Sequence, residues 1–186
     1  NSISRGGLNM ALMNAAESHG VTLHFNAKCT QVDLDQQRAI FSRGIDEPQA
    51  HAFEKLIATD GSGSAVREAL KSRPEFRFSQ EFLPYGYKEL TIPPAADGTH
   101  QIERRALHIW PRKTFMLIAL PNLDGSFTVT LFYPQKGEQS FERFQVASDV
   151  KALFENEFSD ILPLVPNLVE DFFENPTGSL VTVRCA

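Results

Sequence analysis

The stretch "FEKLIATDGSGSAVREAL", residues 53–70, predicts a strand, a glycine-rich turn and a helix in direct succession. The apolar run "KLIATDG" has the length of a strand, and "SAVREALKS" has a helical pattern with Ser64 as its N-cap. An Asp at the carboxyl end of a strand lies where α/β folds bind ligands. Asp60 could accept hydrogen bonds from a polyol hydroxyl there, while Gly61 and Gly63 allow close backbone approach. The alternative is a plain surface turn, because Asp-Gly pairs are common in turns.

Together with this turn, the segments before it predict an α/β nucleotide-binding unit whose first strand and helix are missing. Apolar residues recur on one helical face ahead of Gly20, which predicts a helix from about Leu8 to His19. "VTLHF", residues 21–25, alternates like a half-buried strand, and "CTQVDLD" and "RAIFSRG" predict two short antiparallel strands. Through residue 72 the predicted order is therefore helix, strand, small β-meander, strand and helix.

Beyond Arg73-Pro74 the sequence becomes rich in strands. "YKELTIP", "RALHIWP", "TFMLIALP" and "SFTVTLFYP" are β-rich runs, and Asp124-Gly125 between the last two predicts a hairpin. Alternate residues of these runs could line one face of a sheet; they are Leu107, Ile109, Met116, Ile118, Leu120, Thr128, Thr130 and Phe132. "SDVKALFENEF" and "PNLVEDFFE" predict amphipathic helices, and "SLVTVRC" a last strand. We expect an α/β chain with two domains, residues 1–74 and 75–186.

Composition restricts the classes of function. A formal charge of −5 without a cluster of basic residues argues against nucleic-acid binding. No apolar run approaches the roughly 18 residues that span a bilayer, so no membrane segment is predicted. Cys29 and Cys185 have no metal-ligand spacing, and a reducing cytoplasm is the better prediction than a disulfide. Both ends look excised, so we expect an interior piece of a longer protein.

The motif "TDGSGSAVR" resembles the D-G-x-x-S-x-x-R pattern of the class A flavin-dependent aromatic hydroxylases. Asp60, Gly61, Ser64 and Arg67 match its four fixed positions. "SISRGGLNMALMNAA" resembles the segment of the same family in which an arginine, here Arg5, precedes a helix and reaches the flavin. The family's G-x-G-x-x-G and G-D-A-A-H-type motifs are absent from this sequence.

Two further segments narrow the resemblance. "PYGYKELTIPP", residues 84–94, and "LHIWPRKTFMLIALPNLDGSFTVTLFYP", residues 107–134, are similar to the kynurenine 3-monooxygenase family. The likeness continues through "FENEFSDILPLVPNLVEDFF" and covers nearly the whole chain. Membership would imply a Rossmann-like FAD-binding domain followed by a β-sheet substrate domain of the aromatic-hydroxylase type.

The resemblance implies specific site residues. Cofactor contacts would come from Arg5, Cys29, Asp60, Gly61 and Ala65, with Cys29 and Ala65 contributing only backbone. The ring of the substrate would lie against an apolar wall of Leu107, Met116, Ile118, Leu120 and Phe132. No catalytic side chain and no metal ligand is predicted. The alternatives are a solvated charge for Arg5 and ordinary core residues for the wall.

The implied chemistry is that of a monooxygenase using FAD, NADPH and O2, with L-kynurenine as substrate and 3-hydroxykynurenine as product. Such a pocket must be dry and apolar, which alternate strand positions can supply. We expect this chain alone to be inactive, because it carries only part of a flavin site. His24 and His108 are expected to be structural, and Tyr87 and Glu89 could lie near the substrate mouth. A related aromatic hydroxylase and a non-catalytic binding domain stay open as alternatives.

Overall fold

The computed structural model describes residues 3–185, and its secondary structure is mixed α/β. In chain order the elements are α1 (Arg5–Ser18), β1 (Lys28–Asp33), β2 (Arg38–Ser42), β3 (Gln49–Ala52), α2 (Ala65–Leu70), β4 (Phe78–Ile92), β5 (His108–Pro111), β6 (Met116–Pro121), β7 (Phe127–Pro134), α3 (Ala147–Glu157), α4 (Leu168–Glu174) and β8 (Gly178–Cys185). Short 3-10 turns lie at Gly61–Gly63, Phe141–Arg143 and Leu162–Leu164. None of the helices described here has the length and apolarity needed to cross a membrane.

The chain divides into two compact units. The meander unit comprises Met10–Glu81 and the described residues from Val181 onward; the sheet unit comprises Phe82–Leu180 and the described residues up to Asn9. In the meander unit, β1, β2 and β3 form a three-stranded antiparallel sheet in that order. Its pairing is interrupted by a bulge between Cys29 and Gln31.

A five-stranded sheet has the order β5-β6-β7-β4-β8; the sheet unit contains β5, β6 and β7, β4 from Phe82 onward and β8 up to Leu180. β6 pairs antiparallel with both β5 and β7, and β7 pairs antiparallel with β4. The predicted hairpin is confirmed: Asp124-Gly125 joins β6 and β7, and Gly125 has φ +89°, which only glycine adopts without strain. The Oδ1 of Asp124 accepts a hydrogen bond from the backbone N–H of Ser126 at 3.0 Å and fixes the turn.

One face of the five-stranded sheet packs on α3 and α4. The core consists of alternate strand residues and residues of the two helices and their connections. Its strand members are Leu90, Ile92, Leu117, Ala119, Phe127, Val129, Leu131 and Tyr133. The helices bury residues four apart, Val150 with Phe154 on α3 and Leu168 with Phe172 on α4. These pairs follow the helical period that their sequences predicted.

Two predicted strands are wrong and one strand was missed. Residues 21–25 and 55–61 contain no strand, and Val21, Phe25 and Ile57 are exposed. A strand needs hydrogen-bonded neighbours, and neither segment pairs with another strand in the described part of the chain. β3 was missed because its sequence "QAHA" carries no apolar alternation; pairing with β2 stabilises it.

The predicted first helix is confirmed, but its apolar face is exposed, whereas an apolar face implies burial. α1 begins at Arg5, three residues before the predicted start, because the Ser4 hydroxyl accepts from the N–H of Gly7 at 3.1 Å and caps it. No residue of α1 is buried, and 58% of Leu12 is exposed. The apolar stripe of α1 is therefore not part of a buried core.

Candidate functional site

The Asp-Gly motif forms a closed loop in the meander unit. The carboxylate of Asp60 accepts a hydrogen bond from the N–H of Ala65 at 2.9 Å, and the Ser64 hydroxyl accepts one from the N–H of Arg67 at 3.0 Å. The guanidinium of Arg67 turns back and donates to the carbonyl oxygen of Gly61 at 2.9 Å and to that of Ser62. All four fixed residues of the motif therefore take part in holding one loop, and Ser64 caps α2 as predicted.

The loop leaves its glycines and its acid open to a ligand. Gly61 has φ +73°, and a Cβ built on Gly61 or Gly63 would meet no atom within 4 Å. Asp60 is exposed. The Ser64 hydroxyl and the backbone amides around Ala65 hold the pKa of Asp60 below its ordinary value, so this carboxylate is ionised at neutral pH. An ionised acid beside unobstructed backbone can accept hydrogen bonds from hydroxyl groups of a nucleotide.

Cys29 lies close enough to this loop to sense its charge. Its pKa is raised, first by burial of the thiol and then by the carboxylate of Asp60. Cys29 stands at the bulge of β1, and its Sγ lies 3.8 Å from the carbonyl oxygen of Gln31. Both Cys29 and Cys185 are free thiols. Three predicted cofactor residues, Asp60, Gly61 and Ala65, thus lie in one loop, and the cofactor roles of these residues and of Cys29 stay predictions.

Arg5 occupies the first turn of α1 and is exposed. It belongs to the sheet unit, whereas the Asp-Gly loop belongs to the meander unit. The prediction that Arg5 contacts the same cofactor as Asp60 therefore stays a prediction.

The predicted substrate wall lies on the face of the five-stranded sheet opposite the core. Met116 pairs directly with Phe132, Ile118 with Thr130, and Leu120 with Thr128. Directly opposite residues of antiparallel strands point to the same side, so all of them share one face. Ile109 continues that face across β5 through its pairing with Ile118. We call this surface the open face of the sheet.

The open face is apolar at one side and more polar at the other. Ile109, Met116, Ile118 and Leu120 occupy β5 and β6, and Met116 and Leu120 remain 40% and 36% exposed. β4 extends the face through Tyr87, Glu89 and Thr91, which pair with Phe132, Thr130 and Thr128. Leu107, the remaining predicted residue, immediately precedes β5 and is 51% exposed. An amphiphilic ligand could place an aromatic ring on β6 and β7 and a polar group toward β4.

The two histidines that were expected to be structural, His24 and His108, each contact neighbouring residues of the chain. His108 bonds through Nε2 to the carbonyl oxygen of Glu103 at 2.7 Å and stacks on Trp110 with ring centroids 5.9 Å apart. His24 lies in the meander unit, where its Nδ1 accepts from the guanidinium of Arg43 at 2.9 Å. Neither contact creates an acid–base pair. Within residues 3–185, no three His, Cys, Asp or Glu side chains form a group that could hold a metal ion.

A surface cavity of about 280 Å³ in the meander unit contains none of the predicted site residues. Its lining includes His24, Phe41, Arg43 and His51. The histidines are 6.4 Å apart between ring centroids, and Phe41 meets His51 edge-on at 5.6 Å.

Sequence reasoning missed how strongly β4 is anchored to the end of α4. Lys88 is buried with only 6% of its surface exposed, and its Nζ donates to the carbonyl oxygen of Asn175 at 2.7 Å. The Nζ also lies 5.1 Å from the centroid of the Phe172 ring. Asn175 donates in turn from Nδ2 to the carbonyl oxygen of Glu89 at 2.8 Å. The only sequence signal was a lysine placed among the core-facing positions of β4.

Comparison with known proteins identifies the relatives of this chain. It is 47% identical over 188 residues to a kynurenine 3-monooxygenase of Myxococcus xanthus, covering 100% of this chain and 40% of that protein. Over 98% of the chain it is 47% identical to the kynurenine 3-monooxygenase of Stenotrophomonas maltophilia, and over 99% it is 44% identical to that of Flavobacterium johnsoniae. The chain spans 40–42% of the length of these relatives. No protein-family profile matches it.

Two solved structures, an oxygenase and a flavin-dependent halogenase by name, share the fold of this chain. The tetrameric form of 2-methyl-3-hydroxypyridine-5-carboxylic acid oxygenase superposes with a TM-score of 0.69 at 18% identity, covering 96% of this chain and 45% of that one. CmlS, a flavin-dependent halogenase, gives a TM-score of 0.55 at 16% identity over 97% of this chain and 31% of its own. The predicted fold class, the α/β fold of the aromatic-hydroxylase type, and the resemblance to the kynurenine 3-monooxygenase family are both confirmed.

Proposed function

We propose that this chain, a relative of the kynurenine 3-monooxygenases over its whole length, is part of a flavin-dependent monooxygenase that converts L-kynurenine to 3-hydroxykynurenine. The observation that carries the proposal is the 44–47% identity to three enzymes of that name, which extends over 98–100% of this chain. The parent protein would use FAD as cofactor, NADPH as reductant and O2 as co-substrate. We place residues 1–74 in its FAD-binding domain and residues 75–186 in its substrate domain.

The residues around the Asp-Gly loop fit a flavin nucleotide. The ionised carboxylate of Asp60 would accept hydrogen bonds from hydroxyl groups of the cofactor, and the open backbone at Gly61 and Ala65 would allow close approach. Arg67 would stabilise the conformation of the loop through its hydrogen bonds to the carbonyl oxygens of Gly61 and Ser62. We propose backbone contacts from Cys29 and a side-chain contact from Arg5.

When bound and reduced, the flavin supplies the activation of O2 that oxygen transfer to an aromatic ring requires. The residues of this chain would position the substrate and exclude water. Met116, Ile118, Leu120 and Phe132 would pack against the ring, with Leu107 at the end of the wall. Exclusion of water would favour oxygen transfer over release of hydrogen peroxide, so the dryness of this surface would determine how efficiently NADPH oxidation is coupled to product formation.

The test is NADPH oxidation by the full-length protein with and without L-kynurenine, with the product identified by chromatography. Kynurenine-stimulated oxidation with one equivalent of 3-hydroxykynurenine per NADPH is the expected result. A panel of other anilinic and phenolic acids, assayed in parallel, tests for a related hydroxylase with a different substrate. No stimulation by any of these compounds and no bound flavin would support the non-catalytic alternative and contradict the proposal.

A further inference from the structure

Tyr87 and Phe132 form an aromatic corner on the open face of the sheet. They are directly paired residues of β4 and β7, and their ring centroids are 6.3 Å apart with an interplanar angle of 49°. Met116 pairs with Phe132 from the other side, on β6. Tyr87 therefore continues the row that contains two residues of the proposed substrate wall, and its ring ends that row toward β8.

Gly178, the first residue of β8, provides the space for the Tyr87 ring. A Cβ built on Gly178 would overlap Cζ and Cε1 of Tyr87 and would lie 2.7 Å from its hydroxyl oxygen. The φ of Gly178 lies outside the left-handed region, so backbone conformation does not require glycine at this position. What requires glycine is the ring of Tyr87, which lies directly over the backbone of β8.

We propose that Tyr87 is a specificity-determining residue of the substrate site and that Gly178 is its positioning residue. This inference rests on the proposed function, because it takes the open face as the substrate wall. The phenol ring would limit the size of the aromatic ring accepted beside Phe132. Any side chain at position 178 would push the phenol away from β8 and toward the space that the substrate occupies.

The proposal predicts different effects for the two residues. Tyr87→Ala removes the ring that limits substrate size. The kcat/KM for a substrate with a bulkier ring, such as a bromine-substituted L-kynurenine, should therefore rise relative to the kcat/KM for L-kynurenine. We expect the ratio of kcat/KM for the bromo compound to kcat/KM for L-kynurenine to rise about tenfold, which is the lower end of what a change of one small group in an apolar pocket produces. Gly178→Ala should lower kcat/KM for L-kynurenine, because the displaced phenol narrows the site.

A double-mutant cycle in the full-length protein separates positioning from a structural role. If Gly178 acts through Tyr87, then Gly178→Ala should have no further effect on the substrate ratio in the Tyr87→Ala background. Val150→Ala is the control for a loss of stability alone, because Val150 is a fully buried core residue of α3 on the opposite side of the sheet from the open face. It should lower the thermal midpoint and leave the substrate ratio unchanged. Tyr87→Phe, which keeps the ring, should keep the ratio.

The outcomes distinguish this inference from the proposed function. If the wild-type protein hydroxylates L-kynurenine and the ratio does not move in Tyr87→Ala, the inference is overturned while the proposed function stands. If the wild-type protein does not act on L-kynurenine, both are overturned. Should Tyr87→Ala fail to fold, Tyr87→Leu replaces it and the same rise in ratio is expected. Additive effects of Gly178→Ala and Tyr87→Ala on the ratio would overturn the positioning role of Gly178.

Discussion

Leu131 and Phe132 are consecutive residues of β7 that face opposite sides of the sheet. Leu131 is fully buried against α3 and α4 in the core, whereas Phe132 lies on the open face between Met116 and Tyr87. The pleat of the strand thus separates two functions by a single peptide unit, stability on one side and the proposed ligand surface on the other. Substitutions at these neighbours should therefore affect different measurements.

Leu131→Ala should destabilise the chain. Its side chain has no exposed surface, so truncation leaves a cavity in the core, and we expect the free energy of unfolding to fall by about 2–5 kcal/mol. Urea unfolding followed by circular dichroism measures this loss. Leu123→Ala serves as the control, because Leu123 is 97% exposed and its truncation should cost almost nothing. Equal midpoints for the two variants would contradict the assignment of Leu131 to the core.

Phe132→Ala should uncouple the proposed reaction of the full-length protein. Loss of the ring opens the apolar wall to water, so more hydrogen peroxide should be released per NADPH oxidised in the presence of L-kynurenine. Peroxide and 3-hydroxykynurenine are quantified in the same reaction. Phe173→Ala, at a partly exposed phenylalanine of α4, controls for general loss of apolar surface. Unchanged coupling in Phe132→Ala would count against a role in the pocket.

Asp60→Ala should release the flavin from the full-length protein. The change removes both the carboxylate proposed to bind the cofactor and the acceptor that holds the N–H of Ala65. The flavin-to-protein ratio after gel filtration is the measurement, and we expect a loss of most of the cofactor. Asp60→Asn keeps an acceptor oxygen for Ala65 and removes the charge, so it shows how much of the effect comes from the loop alone. A full complement of FAD in Asp60→Ala would exclude the assignment.

Lys88 should give the stability of this chain a distinct pH dependence. Burial lowers the pKa of its ammonium below the ordinary 10.5, so between the folded and unfolded pKa values the unfolded chain binds more protons. Stability from this group therefore rises with pH across that window and is lowest below the folded pKa. Each tenfold difference in proton affinity is worth about 1.4 kcal/mol.

The comparison of wild type with Lys88→Met at several pH values from 7 to 10.5 measures this dependence. The free energy of unfolding of the wild type should improve relative to that of Lys88→Met as the pH rises. Lys113→Met, at an exposed lysine, is the control and should run parallel to the wild type. If the free energy of unfolding of Lys88→Met changes with pH in parallel with that of the wild type, the burial of this ammonium does not control its titration.

Much of the sheet unit could be predicted from the sequence because its signals are local. The alternation of "TFMLIALP" and "SFTVTLFYP", separated by Asp124-Gly125, predicts two strands and their turn, and antiparallel pairing of neighbours then follows. The residues of the candidate wall were identified by the same alternation together with the resemblance. The hydrogen bond between Lys88 and Asn175 and the contact between Tyr87 and Gly178 could not be predicted, because each joins residues about ninety positions apart.

In the meander unit the outcome is mixed. The residues of the Asp-Gly motif predicted the N-cap at Ser64, since capping depends on residues three positions apart. The strand predicted from "KLIATDG" is wrong, because apolar composition predicts burial but does not provide a hydrogen-bonding partner. The structure alone showed that the guanidinium of Arg67 closes the loop by donating hydrogen bonds to the carbonyl oxygens of Gly61 and Ser62.

The sequence by itself determined the periodic and local features of this protein: the helices and their apolar faces, the strands of the five-stranded sheet, its hairpin and the Asp-Gly turn. These features arise from side-chain period and from interactions within a few residues. Only the tertiary structure decided which face of the sheet α3 and α4 cover and which stays open. It also placed the glycine of β8 beneath Tyr87. Both depend on packing between distant segments, whose free energy is gained only when the chain has folded.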